Sequence, residues 1–175
     1  MSSSMPPAGQ NQPYRAAVIV ASDAGARGER TDESGPLIRE MLEAAGFQVA
    51  SYILLPDDQG LLELELCRIC DKNLADIILT SGGTGFSPRD CMPEATLSVA
   101  DRLVPGIPEA MRMQSMGLTK RSMLSRAAAA IRGRTLIINL PGSPKAVREN
   151  LGYIAEILPH GLDILTGRGR ECAQP

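Results

Sequence analysis

Three short runs of the chain are almost continuously apolar: residues 16–21 "AAVIVA", 76–80 "DIILT" and 135–140 "TLIINL". A strand with one wet face alternates, whereas short unbroken runs rich in β-branched residues predict strands buried on both faces, as in a parallel sheet. A fourth strand candidate, "FQVASYILL" at 47–55, alternates more. Between these runs the apolar spacing becomes helical. "SGPLIREMLEAAG" places Leu37, Ile38, Met41, Leu42 and Ala45 on one face, with Asp32 or Ser34 to cap it, Pro36 in its first turn and Gly46 to end it. "DDQGLLELELCRICDK" opens on two carboxylates, which suit a helix N-terminus. "PEATLSVADRL", "IPEAMRMQSM" and "SPKAVRENLGYIAEIL" complete the helical set. Strands alternating with helices predict an α/β sandwich with helices on both faces of the sheet. In "SRAAAAIRGRTLIINL" the alanines favour a helix. "IRGR" just before a strong strand instead reads as a hairpin turn, making the alanines a strand of small side chains, and this is the reading adopted.

Length and composition narrow the picture. The 175 residues suit one domain, and 43% hydrophobic content supplies a core without disulfide staples. The expected organisation is a disordered tail over 1–14, a single domain over 15–168 and a short C-terminal tail over 169–175. With 18 basic and 20 acidic residues, the net charge of −2 argues against a general nucleic-acid binder. No run approaches the roughly 18 apolar residues of a membrane span. The start, "MSSSMPPAGQNQP", lacks a signal-peptide pattern, so the expectation is a cytoplasmic protein. Cys67 and Cys70 form a CxxC within a helical stretch, but no second pair exists to complete a zinc site. They read as helix-face thiols, with metal or redox duty the alternative.

The candidate chemistry lies where the strands end. "AAVIVA" runs into Ser22 and Asp23; "SYILL" into Pro56, Asp57 and Asp58; "DIILT" into Ser81, Gly82, Gly83, Thr84 and Gly85; "TLIINL" into Pro141, Gly142, Ser143, Pro144 and Lys145. Ligands of parallel α/β sheets sit beyond the carboxyl ends of the strands, so these loops are expected to converge on one rim, joined by Arg89 and Asp90. Glycines let backbone N–H groups approach an anion, and Arg89 and Lys145 can neutralise phosphate. Carboxylates beside phosphate require a cation between them, for which Mg²⁺ is suited. A nucleotide with magnesium is the ligand class this rim describes, with a structural turn the alternative for the glycine loop. P-loop and dinucleotide fingerprints are absent: Gly85 is followed by Phe86, and Pro88 stands where a third glycine is needed. No nucleophile elbow or triad is present, and His160 reads as a surface or capping residue. Phosphoryl or nucleotidyl transfer fits, since positioning and charge neutralisation do most of the work.

Ser22-Asp23, Asp32-Glu33-Ser34-Gly35-Pro36, Pro56-Asp57-Asp58, residues 80–85 "TSGGTG" with Arg89-Asp90, "PEAT" at 93–96 and "NLPGSPK" at 139–145 occur in this order. Together they resemble the Mog/MoaB family of molybdenum cofactor biosynthesis over about residues 15–168. The resemblance implies a three-layer α/β/α sandwich with a mostly parallel sheet, and a homotrimer. It implies transfer of AMP from Mg·ATP to the terminal phosphate of molybdopterin, with release of pyrophosphate, and a molybdenum insertase downstream. Carried over by position, Asp57 and Asp90 are the family's essential acidic residues. Residues 81–85 are its ligand-cradling loop, and residues 141–143 the second glycine loop at the site.

Reading the residues themselves, Asp57 and Asp90 either hold Mg²⁺ or position substrate. Arg89 and Lys145 are candidate phosphate partners, and Lys145 reads equally as surface charge or an ion pair. Asp23 either lines the site or lies outside it. Asp58, Asp32 and Ser34 are expected to cap helices. The chain departs from the family at Cys91-Met92, where Val-Thr is usual; Met92 is expected to forfeit a helix cap and a hydroxyl at the site. This departure motivates an alternative, a catalytically weak member that binds molybdopterin or nucleotide. Phe86 is expected to pack onto the sheet, with stacking on a flat heterocycle the other option.

Overall fold

A computed structural model of the chain describes residues 12–168. The expected tails fall outside this range apart from residues 12–14 at one end.

Fourteen elements follow in order. They are β1 (Arg15–Ala21), α1 (Asp23–Ala26), α2 (Ser34–Ala44), β2 (Gln48–Leu55), α3 (Gln59–Asp71), β3 (Ile77–Ser81) and α4 (Met92–Ser98), then β4 (Arg102–Leu103), α5 (Gly106–Met116), a 3-10 turn (Lys120–Leu124), β5 (Ala129–Arg132), β6 (Thr135–Leu140), α6 (Pro144–Ile154) and α7 (Leu158–Thr166). The strands form one sheet in the order β2-β1-β3-β6-β5-β4. β2, β1, β3 and β6 are parallel; β5 runs antiparallel to β6, and β4 antiparallel to β5.

The unbroken apolar runs are explained by burial on both faces. In β1, Ala16, Val18 and Val20 pack with Leu37 and Ile38 of α2, Val147 and Leu151 of α6, and Leu162 of α7. The intervening Ala17, Ile19 and Ala21 pack with Leu62, Leu66 and Ile69 of α3 and Met92 and Ala95 of α4. Two cores, one on each face, make the three layers. β2 lies at a sheet edge and alternates in exposure, as its sequence pattern requires.

The alanine stretch enters a hairpin, as expected: Ala129 and Ala130 are buried in β5, and Gly133, at φ 56°, turns the chain into β6. Two expected helices end differently. The helix predicted over 93–103 stops at Ser98, and Arg102–Leu103 becomes an edge strand. There the backbone pairs with β5, through Asp101 N–H to Ile131 O and Val104 N–H to Ala129 O, each 2.9 Å. Open sheet positions override local helix propensity. The helix predicted over 143–158 ends at Ile154, and α7 restarts at Leu158. Pro159 has no N–H to offer the Ala155 carbonyl and is accommodated only in a first turn, so one helix becomes two.

Candidate functional site

Because β1, β2, β3 and β6 run the same way, the segments that follow them emerge at one end of the sheet. Buried polar groups fix two of these loops. Ser81 Oγ donates to Pro141 O at 2.9 Å, and Ser34 Oγ donates to Gly142 O at 3.0 Å. Below them, the fully buried Asn139 donates through Nδ2 to Thr80 Oγ1 (3.0 Å) and Thr96 Oγ1 (2.8 Å), while its Oδ1 accepts from Ala128 N–H (3.1 Å). Gly82 is wedged where three strand ends meet. It has φ +91°, a Cβ there would lie 2.3 Å from Ala21 O, and Gly142 packs on its other side. Only glycine fits.

The acidic residues gather over this loop. A side chain starting at Gly83 would meet Asp57 Oδ1 at 3.1 Å, and one starting at Gly85 would meet Asp90 Oδ2 at 2.8 Å. The two glycine positions thus leave room for the two carboxylates. Asp90 Oδ2 also accepts from Ser87 N–H at 3.0 Å. Asp23 joins them: its N–H donates to Asp57 Oδ2 at 3.0 Å, and Asp57 N–H donates to Asp23 Oδ1 at 3.1 Å. Arg89 grips Asp23 with both ends of its fork, Nε to Oδ2 and Nη2 to Oδ1, each 2.9 Å. The Asp57 carboxyl is pushed up from its ordinary value, chiefly by burial, with the charges of Asp23 and Asp90 adding to the effect. Asp23 is held below its ordinary value, first by its hydrogen bonds with Arg89. Asp57 is thus raised mainly because it is buried, whereas Asp23 is paired with Arg89.

Two cavities flank the glycine ridge. One of about 480 Å³ is lined by Thr84, Gly85, Arg112, Arg121, Ser143 and Lys145, among others. The second, about 250 Å³, includes Ser22, Arg30, Asp32, Ser81, Gly82 and Gly142 in its wall. Every predicted site residue lies at this end of the molecule. Lys145 borders the larger cavity, largely exposed, with its Nζ 4.0 Å from Glu149 Oε1. Asp58 caps α3 by accepting from Leu61 N–H, as expected. Asp32, one residue before the Glu33 cap position of α2, accepts from Ser34 N–H and Gly35 N–H, each 3.0 Å, and from Tyr52 Oη at 2.7 Å, whereas Ser34 does not cap but opens the helix. Cys70 packs in the core, where burial pushes its thiol up to about 11; Cys67 is half-buried beside it.

Two expectations at the rim need correction. Phe86 does not pack onto the sheet but is 67% exposed, because the loop leaves the last sheet position at Ser81 and carries it outward. Met92 is not in the capping position: Cys91 occupies it, without a side-chain cap, while Met92 is fully buried against α3 and the sheet. Its N–H donates to Gly83 O at 3.1 Å, so an apolar residue there anchors the glycine loop from below.

Arg126 escaped the sequence reading. It bonds to Gly85 O and Asp90 O from a position about 40 residues further along the chain. An arginine before an alanine run carries no local signal of this; its placement depends on β5 reversing direction.

The fold and rim define an α/β protein whose polar loops, glycine backbone and carboxylates meet at the carboxyl ends of a parallel sheet. The family described as "Probable molybdopterin binding domain" matches residues 17–160, and the chain belongs to it. It is 39% identical over 152 residues to a molybdopterin adenylyltransferase of Helicobacter pylori (strain J99), covering 86% of each chain. To the Escherichia coli (strain K12) protein of that name it is 37% identical over 155 residues, covering 85% of this chain and 79% of the other. Among solved structures it is similar to the molybdopterin biosynthesis enzyme MoaB of Thermus thermophilus, with a TM-score of 0.84 and 47% identity over 88% of this chain and 97% of that one. The Mog protein of Mycobacterium ulcerans superposes with a TM-score of 0.83 at 38% identity, covering 90% and 99%.

Proposed function

We propose that the chain is a molybdopterin adenylyltransferase, moving AMP from Mg·ATP to the terminal phosphate of molybdopterin. One observation carries the reading: in a chain with these relatives, Asp57 and Asp90 stand against Gly83 and Gly85 of the same loop. An oxygen of the molybdopterin phosphate forms a bond to the α-phosphorus of ATP, and the bond from that phosphorus to the bridging oxygen breaks, releasing pyrophosphate. The attacking oxygen is already ionised, so no general base is needed.

Each residue type has work in that reaction. Backbone N–H groups of residues 82–85 cradle phosphate oxygens. Arg89 and Lys145 supply positive charge to the phosphates. Asp57 and Asp90 hold the Mg²⁺ that arrives with ATP. No group of three or more potential metal-ligating side chains occurs among the described residues, and Mg²⁺ needs only one or two carboxylates when phosphate and water complete its shell. Burial first, and then the charges of Asp23 and Asp90, raise the Asp57 carboxyl, and a cation beside it would offset both. When bound, Mg²⁺ would neutralise charge on the phosphates.

The same reading places the chain in the cytoplasm as a homotrimer that passes its product to a molybdenum insertase. Exposed Met113, Leu118 and Met123 offer apolar surface for association. No helix among the described residues is long and apolar enough to cross a membrane.

The test is direct: mix the purified chain with molybdopterin and Mg·ATP, then measure pyrophosphate and the adenylylated product. Turnover supports the reading. Molybdopterin binding without pyrophosphate above background replaces it with the binding-only alternative, which the uncapped Cys91 at the start of α4 favours.

A further inference from the structure

The loop that carries Asp90 closes on itself in one turn, with Ser87 N–H donating to Asp90 Oδ2 at 3.0 Å and Asp90 N–H donating to Ser87 O at 2.9 Å. Phe86 is exposed, and residues 87–89 lie open to solvent. At its tip the loop is tied by Arg89 to Asp23. At its base it is tied by one side chain from elsewhere in the fold. Arg126 Nε donates to Gly85 O at 2.7 Å, and Arg126 Nη2 donates to Asp90 O at 2.9 Å. Nη1 pairs with the Glu94 carboxylate on α4, and the Arg126 N–H donates to Thr84 O at 2.9 Å. One residue thus binds both ends of the 85–91 loop.

The two carbonyls it joins belong to the two residues whose spacing matters at the site. Asp90 Oδ2 lies 2.8 Å from where a Gly85 side chain would begin, so a small shift of either residue moves the carboxylate relative to the glycine backbone. A guanidinium presents several donors in one rigid plane and can hold two carbonyls and a carboxylate at once. The ammonium of lysine is a point charge and cannot span the three acceptors.

We propose that Arg126 is a positioning residue for Asp90, fixing that carboxylate over the glycine loop by bonding the Gly85 and Asp90 carbonyls. The proposal rests on the adenylyl-transfer reading only for its kinetic consequence. Arg126 touches no reacting atom; it acts through Asp90.

The experiment compares the wild-type chain, Arg126→Lys, Asp90→Asn and the double variant. It measures kcat and KM for molybdopterin and Mg·ATP, together with backbone hydrogen exchange. In Arg126→Lys, kcat should fall by roughly 10²-fold, the size of effect a displacement of about 1 Å produces, while both KM values stay within about threefold. The double variant should be no slower than Asp90→Asn alone, because two residues acting as a unit do not lose activity additively. Exchange should quicken over residues 86–92 and not in β1 or β3. A kcat within about twofold of wild type, or losses that multiply in the double variant, overturns the proposal. So does faster exchange spread over the whole sheet. If Arg126→Lys does not fold, Glu94→Gln takes its place: faster exchange over 86–92 with lowered kcat supports the proposal, and no change in either overturns it. A wild-type chain that releases no pyrophosphate defeats the adenylyl-transfer reading instead. The exchange pattern of the variant then decides the positioning role alone.

Discussion

Asp23 and Asp57 hold each other reciprocally: each donates its backbone N–H to the other's carboxylate, at 3.0 and 3.1 Å. The pair joins the loops after β1 and β2, and it sets two like charges side by side. Arg89 compensates Asp23 directly, while burial first and then the neighbouring carboxylates raise the Asp57 carboxyl.

That imbalance predicts opposite effects on stability and rate. The folded Asp57 carboxyl keeps its proton to higher pH than its ordinary value of 3.8. Its contribution to stability is therefore full below 3.8 and is lost as pH rises through the raised folded value. At neutral pH the ionised group disfavours folding. Asp57→Asn keeps an oxygen for the Asp23 N–H and removes the charge. Its thermal midpoint at pH 7 should equal or exceed that of wild type, an advantage that shrinks as the scan moves below about pH 4. Turnover of the same variant should drop by about 10²-fold or more.

Two glycine substitutions should separate crowding from backbone strain. Gly82→Ala places a methyl 2.3 Å from a main-chain oxygen at φ +91°, and no flexible side chain can yield. It should cost about 3 kcal/mol or more in urea unfolding and abolish turnover. Gly28→Ala, at φ +72° with nothing within 4 Å, should cost only about 1 kcal/mol and leave the rate near wild type.

Asn139 links the parallel strands to the reversed hairpin from a fully buried position. Asn139→Leu removes the acceptor for Ala128 N–H and the donor to two threonine hydroxyls. Denaturant titration should show a loss of about 3 kcal/mol, since buried polar groups left without partners carry their desolvation penalty.

Chelation should separate rate from fold. Treatment with EDTA should abolish pyrophosphate release, and added Mg²⁺ should restore it. The thermal midpoint of the chain without nucleotide should move by less than about 1 °C, because a metal that binds only with its nucleotide adds nothing to the stability of the empty protein. A large fall in the midpoint would instead reveal a resident structural ion.

Much of this was legible in the sequence, for reasons visible in the structure. The runs that became β1, β3 and β6 are unbroken because both their faces are covered, and burial on two faces leaves no polar position to blur the pattern. Asp58 announced its helix because a cap acts within three residues. The gathering of these loops followed from topology, since parallel strands send their following loops to one end. What stayed hidden depends on distant partners. Residues 102–103 are a strand only because β5 offers hydrogen bonds beside them. Phe86 is exposed because the glycine loop turns outward. The role of Arg126 requires knowing that the strand after it, β5, runs backwards.

That backward strand also divides the molecule into two poles. β5 begins beside the glycine loops and ends at the tight turn around Gly133, a full strand length away, where the chain lies open to solvent. A fluorophore, an affinity handle or a surface tether grafted at that turn would sit on the far side from the ligand mouth, so the enzyme could be immobilised or tracked with its entrance still unobstructed.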